Sequence, residues 1–188
     1  MRFTHAHAGI ALAAAALFAS AAQAGAKPPP LVAFEGAIGV DPLTAIGGNP
    51  IAEGVNTVRG IAPGGRAWTL RRLEARVGTD GSISAKGKGL LFTSGELIGT
   101  RGAVAAVAAT LTCGAADATA RKFTSPGAAL DAAGNFRISG KLSEDGINAA
   151  VMPTTCDNPV LLIRSFNTTT GLPGNWFAAG IPSSGDDD

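Results

Sequence analysis

The stretch Trp68–Leu91, WTLRRLEARVGTDGSISAKGKGLL, decides the fold. Leu73, Ala75 and Val77 alternate with Glu74 and Arg76, the two-residue period of a strand with one wet face. Asp80-Gly81 follows, a dipeptide suited to a tight hairpin because glycine and, to a lesser degree, aspartate tolerate turn conformations. Ile83 and Ala85 then alternate with Ser84 and Lys86. Leu70, Leu73 and Val77 also fit a helical stripe, but a helix explains neither the turn nor the alternation beyond it. Trp68 and Leu70 have the opposite parity to Leu73, so a strand through this region needs a bulge near Arg71-Arg72.

A second segment echoes the first. Ala128 to Leu130 leads into Asp131-Ala132-Ala133-Gly134, after which Phe136 and Ile138 alternate with polar residues. Gly81 matches Gly134, Ile83 matches Phe136, Ala85 matches Ile138 and Gly87-Lys88 matches Gly140-Lys141. Two copies do not make a solenoid, and the echo reads as one hairpin chemistry used twice.

The remaining chain carries the same punctuation. It has 26 Gly and 11 Pro in 188 residues, well above the usual ~12% combined, spread between short apolar segments. Leu31 to Val40 reads as a first strand, Asp41 to Gly54 as a loop and Val55 to Ile61 as a short strand. Ala103 to Cys113 fits a strand or a helix, and the strand reading is taken here. Val160 to Ile163 is a continuous apolar run expected to be buried on both faces. Asn167 to Asn175 reads as a polar loop and Trp176 to Ile181 as a last strand. The fold expected is all-β: an antiparallel β-sandwich, with a closed β-barrel as the alternative, of about nine to eleven short strands.

Met1 to Ala24 has the form of a secretory signal peptide: Arg2, the apolar run Ala8 to Ala22, and the small-residue site Ala22-Gln23-Ala24. The run is shorter than the ~20 apolar residues of a spanning helix, so no transmembrane segment is expected after cleavage. The domain boundaries expected are a signal at 1–24, a Pro-rich leader at 25–30, one β domain at 31–182 and an acidic tail at 183–188. The Ala-rich signal is bacterial in style, and an exported protein, secreted or periplasmic, is expected from it.

Cleavage after Ala24 removes His5 and His7, the only histidines, and the chain has no Tyr. Ser-His-Asp and Cys-His mechanisms then have no imidazole, and histidine-ligated metal sites have no ligand. No cofactor or metal is expected. Cys113 and Cys156 are the only cysteines and, in an exported protein, read as one disulfide closing 43 residues, worth ~4 kcal/mol.

Charge is the remaining functional signal. Residues 66–88 hold Arg66, Arg71, Arg72, Arg76, Lys86 and Lys88 against Glu74 and Asp80, a net of +4. Residues 144–188 hold Glu144, Asp145, Asp157 and Asp186 to Asp188 against Arg164, a net of −5. The basic segment is a candidate surface for an anionic envelope polymer, lipid headgroups or an acidic protein. The competing reading is a solvated sheet face compensated by the acidic segment. The formal charge of +1 for the whole chain gives no reason to expect nucleic-acid binding. Trp68 and Trp176 are candidates for stacking on sugar rings, although core packing is the commoner use of tryptophan.

Carboxylates are the only general acid/base pair available, and Glu35, Glu74, Glu96 and Asp157 are conceivable members. The leading expectation is a non-catalytic, exported binding or structural module. A small carbohydrate-active hydrolase with a carboxylate pair is one alternative. A self-assembling surface subunit that donates its first strand to a neighbour is another.

Overall fold

A computed structural model describes residues 30–42, 45–46, 49–50, 56–144, 146 and 148–183. The expected signal, the leader up to Pro29 and the tail beyond Ser183 lie outside the described residues. The described residues form eleven strands and no helix. These are β1 (Pro30–Gly39), β2 (Ala45–Ile46), β3 (Asn49–Pro50), β4 (Trp68–Gly78), β5 (Ser82–Phe92) and β6 (Ala106–Cys113). Then follow β7 (Arg121–Thr124), β8 (Ala128–Ala129), β9 (Phe136–Lys141), β10 (Val160–Asn167) and β11 (Leu172–Pro182). Both ambiguous stretches, 68–77 and 103–113, are thus strands where they are regular.

Nine strands build one strongly curled antiparallel sheet, a half-barrel, in the order β7-β6-β10-β11-β1-β4-β5-β9, with β8 also paired to β6. The two facing sheets of a sandwich are not what forms. The reason lies in β1, which pairs with β4 through Pro30–Glu35 and with β11 through Phe34–Gly39. One ten-residue strand therefore stitches β4-β5-β9 to β7-β6-β10-β11. Beyond this, Thr124 at the end of β7 and Ser143 just past β9 exchange backbone hydrogen bonds of 2.8 and 2.9 Å, bringing the two ends of the curled sheet together.

The hairpin at Gly81 forms as its sequence requires. Gly81 N–H donates to Gly78 C=O at 3.0 Å, Gly81 has φ +75°, and Asp80 Oδ1 accepts from Ser82 N–H at 2.9 Å. Gly134 holds the same φ of +75° in the second turn, where Asp131 Oδ1 accepts from Asn135 N–H at 2.8 Å. That second turn does not close a two-stranded hairpin. The strand before it, β8, pairs with β6, while β9 after it pairs with β5. The turn carries the chain from one end of the curled sheet to the other.

The two echoing segments are neighbours. Ala85 pairs with its match Ile138, and Gly87 pairs with Phe136, the match of Ile83. Gly87 is glycine because Phe136 occupies the space where its Cβ would stand.

The bulge expected at Arg71-Arg72 takes a different form. Leu70 pairs with Leu90 and Leu73 with Gly87, so the β4–β5 register runs straight through. Both strands change face together, at Arg71 and at Gly89 (φ +72°), so Leu70 and Leu73 are both buried. In β1 the register shifts between Phe34 and Ala37. These irregularities lie in three neighbouring strands, where they help the sheet to curl.

The concave interior is filled by Phe34, Leu73, Leu90, Leu111, Phe123, Ile138 and Leu161, all fully buried. Each such side chain contributes ~1.5–3 kcal/mol on burial. Every residue of β6 is buried, as are Leu161, Leu162 and Ile163 of β10, as the apolar run implied. The disulfide joins Cys113 at the end of β6 to the loop at Cys156.

Three readings change. Asp41–Gly54, read as a loop, carries the two short strands β2 and β3, paired with each other. Within Val55–Ile61 the described part, from Asn56, is a tight reversal in which Val58 and Ile61 exchange hydrogen bonds, not a strand. Asn167–Asn175 is mostly strand: β10 runs to Asn167 and β11 starts at Leu172. Arg164 holds that hairpin, donating from Nε to Gly174 O at 2.7 Å and from Nη1 to Thr110 Oγ1 at 3.2 Å. Burial lowers the Arg164 pKa from its ordinary value.

Candidate functional site: the charged outer face of β1, β4, β5 and β9

Inward Leu73, Ala75 and Val77 force Arg72, Glu74 and Arg76 of β4 outward. Inward Ile83, Ala85 and Gly87 do the same for Ser84, Lys86 and Lys88 of β5. Phe136 and Ile138 turn Arg137 and Ser139 of β9 outward, and Phe34 turns Glu35 of β1 outward. All of these outward residues are exposed.

Pairing sets them in rows. Glu35 faces Glu74, Glu74 faces Lys86, and Lys86 faces Arg137. In a second row Arg76 faces Ser84, and Ser84 faces Ser139. Arg72 faces Lys88 in a third. Three cross-strand pairs are thus of like charge: Glu35/Glu74, Lys86/Arg137 and Arg72/Lys88. Directly opposed like charges destabilise a sheet. The two ion pairs found among the described residues are elsewhere, Arg121–Glu144 at 3.0 Å and Lys141–Asp80.

Four of the six basic candidates, Arg72, Arg76, Lys86 and Lys88, are brought onto this face. Arg66 and Arg71 lie outside this strict alternation, and both are exposed. Arg66 lies over the Phe92 ring, 5.8 Å from its centroid, and Arg71 folds beside Gly89. Arg137 joins the face from β9, a residue missed because the strand pairing that places it beside Lys86 joins segments distant in sequence. Of the acidic segment's described members, Glu144 is engaged by Arg121, and Asp157 lines a separate hollow with Cys113 and Arg121.

Glu35, Glu74, Arg76, Ser84, Lys86 and Ser183 line a groove of ≈ 380 Å³ on this face. Of the four conceivable acid/base carboxylates, the fold brings together Glu35 and Glu74. Glu96 and Asp157 lie apart from this groove.

Both tryptophans are core residues, and neither offers a platform for sugar stacking. Trp68 is 4% exposed, stacked on Phe177 at 4.2 Å and tilted against Phe92 at 4.1 Å. Trp176 is 5% exposed and its indole N–H donates to Asn56 O at 3.1 Å.

Sequence reading also missed Arg59. It is 7% exposed, adopts φ +51° at the tip of the 58–61 reversal, and donates from Nη2 to Asn158 O. Its Nη1 is buried without a hydrogen-bond partner among the described residues. A lone arginine in a Gly-rich stretch gives no signal of such burial.

Among the described residues no group of three metal-ligating side chains comes together, and no helix is long and apolar enough to cross a membrane. The fold and face define an all-β, disulfide-linked protein with one strongly curled sheet and a mixed-charge outer surface. Comparison with protein-family models, with curated proteins and with solved structures found no match.

Proposed function

We propose that the protein is an exported, non-catalytic binding module whose β4–β5–β9 outer face takes an anionic polymer of the cell envelope. The observation that carries this reading is the pair of opposed cations, Lys86 across from Arg137 and Arg72 across from Lys88. Local rules of sheet stability argue against such pairs, and local conflicts concentrate at functional sites. A bound anion between each pair turns repulsion into shared attraction. Cations spaced ~5 Å across strands and ~7 Å along them suit a ligand with repeating charge. The disulfide supports export, since such bonds persist in oxidising compartments.

The hydrolase reading rests on Glu35 facing Glu74 in one groove. Acid/base division of labour needs two carboxylates in unlike environments. Both are exposed on the same open face, which favours binding over catalysis. Donation of the first strand to a neighbour is disfavoured, because β1 is paired along parts of both edges within its own sheet.

The test is retention of the disulfide-intact protein on immobilised dextran sulfate. Retention should fall steeply with salt. It should be lost when Arg72, Lys86, Lys88 and Arg137 are all changed to Gln. Retention unchanged by those substitutions contradicts the proposal.

A further inference from the structure

We infer that the ligand is an acidic polysaccharide, recognised through its hydroxyls as well as its charge; this rests on the binding reading above. The row Glu35–Glu74–Lys86–Arg137 crosses four adjacent strands and changes sign once, at its centre. Ionised carboxylates only accept hydrogen bonds, whereas ammonium and guanidinium groups only donate them. One half of the row therefore asks for donors and the other half for anions. With strands ~4.8 Å apart, the centres of the two halves are ~10 Å apart.

A bare phosphate chain or a sulfate ester binds the cationic half, but Glu35 and Glu74 repel it and weaken that binding. Every residue of a polymer of uronic-acid sugars carries both hydroxyl donors and a carboxylate, so one ring can turn hydroxyls to the acidic half while the next turns its carboxylate to the cationic half. The groove of ≈ 380 Å³ lies at the sign change, with Arg76, Lys86 and the small hydroxyl residues Ser84 and Ser183 along it. It is open and lined by short side chains beside long charged ones. That arrangement suits a ring edge bearing several hydroxyls.

The experiment is calorimetric titration of the disulfide-intact protein with polygalacturonate and, separately, with inorganic polyphosphate at equal charge concentration. Variants Glu35→Gln/Glu74→Gln and Lys86→Gln/Arg137→Gln are compared with the parent. Loss of charged hydrogen bonds to hydroxyls should weaken polygalacturonate binding about tenfold in the Glu→Gln variant. The same variant should bind polyphosphate about two- to threefold more tightly, because repulsion is removed. Tighter binding of both polymers by the Glu→Gln variant overturns the glycan inference while leaving the binding reading intact. Unchanged binding of both polymers by the Lys86→Gln/Arg137→Gln variant overturns the binding reading itself. Circular dichroism of each variant separates lost binding from lost fold.

Discussion

Lys86 and Arg137 stand directly opposite each other on β5 and β9, both exposed, with neither in an ion pair among the described residues. The free protein carries this repulsion at all times. Changing Arg137 to Gln should therefore stabilise the fold by a few tenths of a kcal/mol at low salt, whereas Lys86→Gln also gives up the facing Glu74 and should gain less. The gain should vanish as salt screens the pair. Urea unfolding at low and high ionic strength reads both effects, and a destabilised variant at low salt contradicts them.

Phe136 fills the space beside Gly87, so Gly87→Ala should cost ~1–3 kcal/mol through overpacking. Phe136→Leu in the same chain should recover part of that cost. Thermal unfolding of the single and double variants tests the pairing, and simple additivity of the two effects would count against it.

The Cys113–Cys156 bond closes 43 residues, so Cys113→Ser/Cys156→Ser should lose about 4 kcal/mol. The outer face of β4, β5 and β9 is built on other strands, and its binding should persist wherever the variant stays folded. Denaturant midpoints and dextran sulfate retention measured on the same sample separate these outcomes.

The exposed Asp80–Lys141 pair should make a small part of the stability depend on acid. The Lys141 ammonium, followed by the hydroxyl and N–H of Ser82, holds the Asp80 carboxyl well below the usual carboxylate range. A depressed folded-state pKa stabilises above the unfolded value, ~3.9, and that contribution is lost as pH falls through the folded value. The advantage of the parent over Asp80→Asn should thus be full at neutral pH and shrink below about pH 4. Melting temperatures across pH 2–7 would show it, and a gap that widens on acidification would refute it.

The buried indoles of Trp68 and Trp176 should resist acrylamide quenching. Their emission should stay unchanged when polygalacturonate is added. Quenching at the rate of free indole would contradict the packing described here.

Much of the local structure was legible because it is written in short-range chemistry. Gly81 and Gly134 announced their turns, Val160–Ile163 its double burial, and Cys113 and Cys156 their bond. The sheet count was not legible. Whether β1 edges one sheet or stitches two halves into a single sheet depends on which strands it meets, and alternation along Leu31–Val40 reads the same either way. The same limit hid Arg137, whose neighbour Lys86 lies far away in sequence. It also hid the contacts of Arg66 and Arg71, since a run of cations does not say which rings or glycines each will rest on. Asn167–Asn175 reads as a loop because its Gly, Pro and Asn residues suit turns, yet the strands on either side extend through it. Arg164, half-buried beside them, supplies the bonds that hold Pro173 and Gly174 in place.

The most direct measurement is amide chemical-shift mapping of the isotopically labelled, disulfide-intact protein as polygalacturonate is added. The central claim, that the outer face of β4, β5 and β9 is the binding surface, predicts shifts concentrated at Arg72, Glu74, Arg76, Lys86, Lys88 and Arg137. Shifts concentrated on β6 and β10, or a spectrum that does not move at low salt, would contradict it.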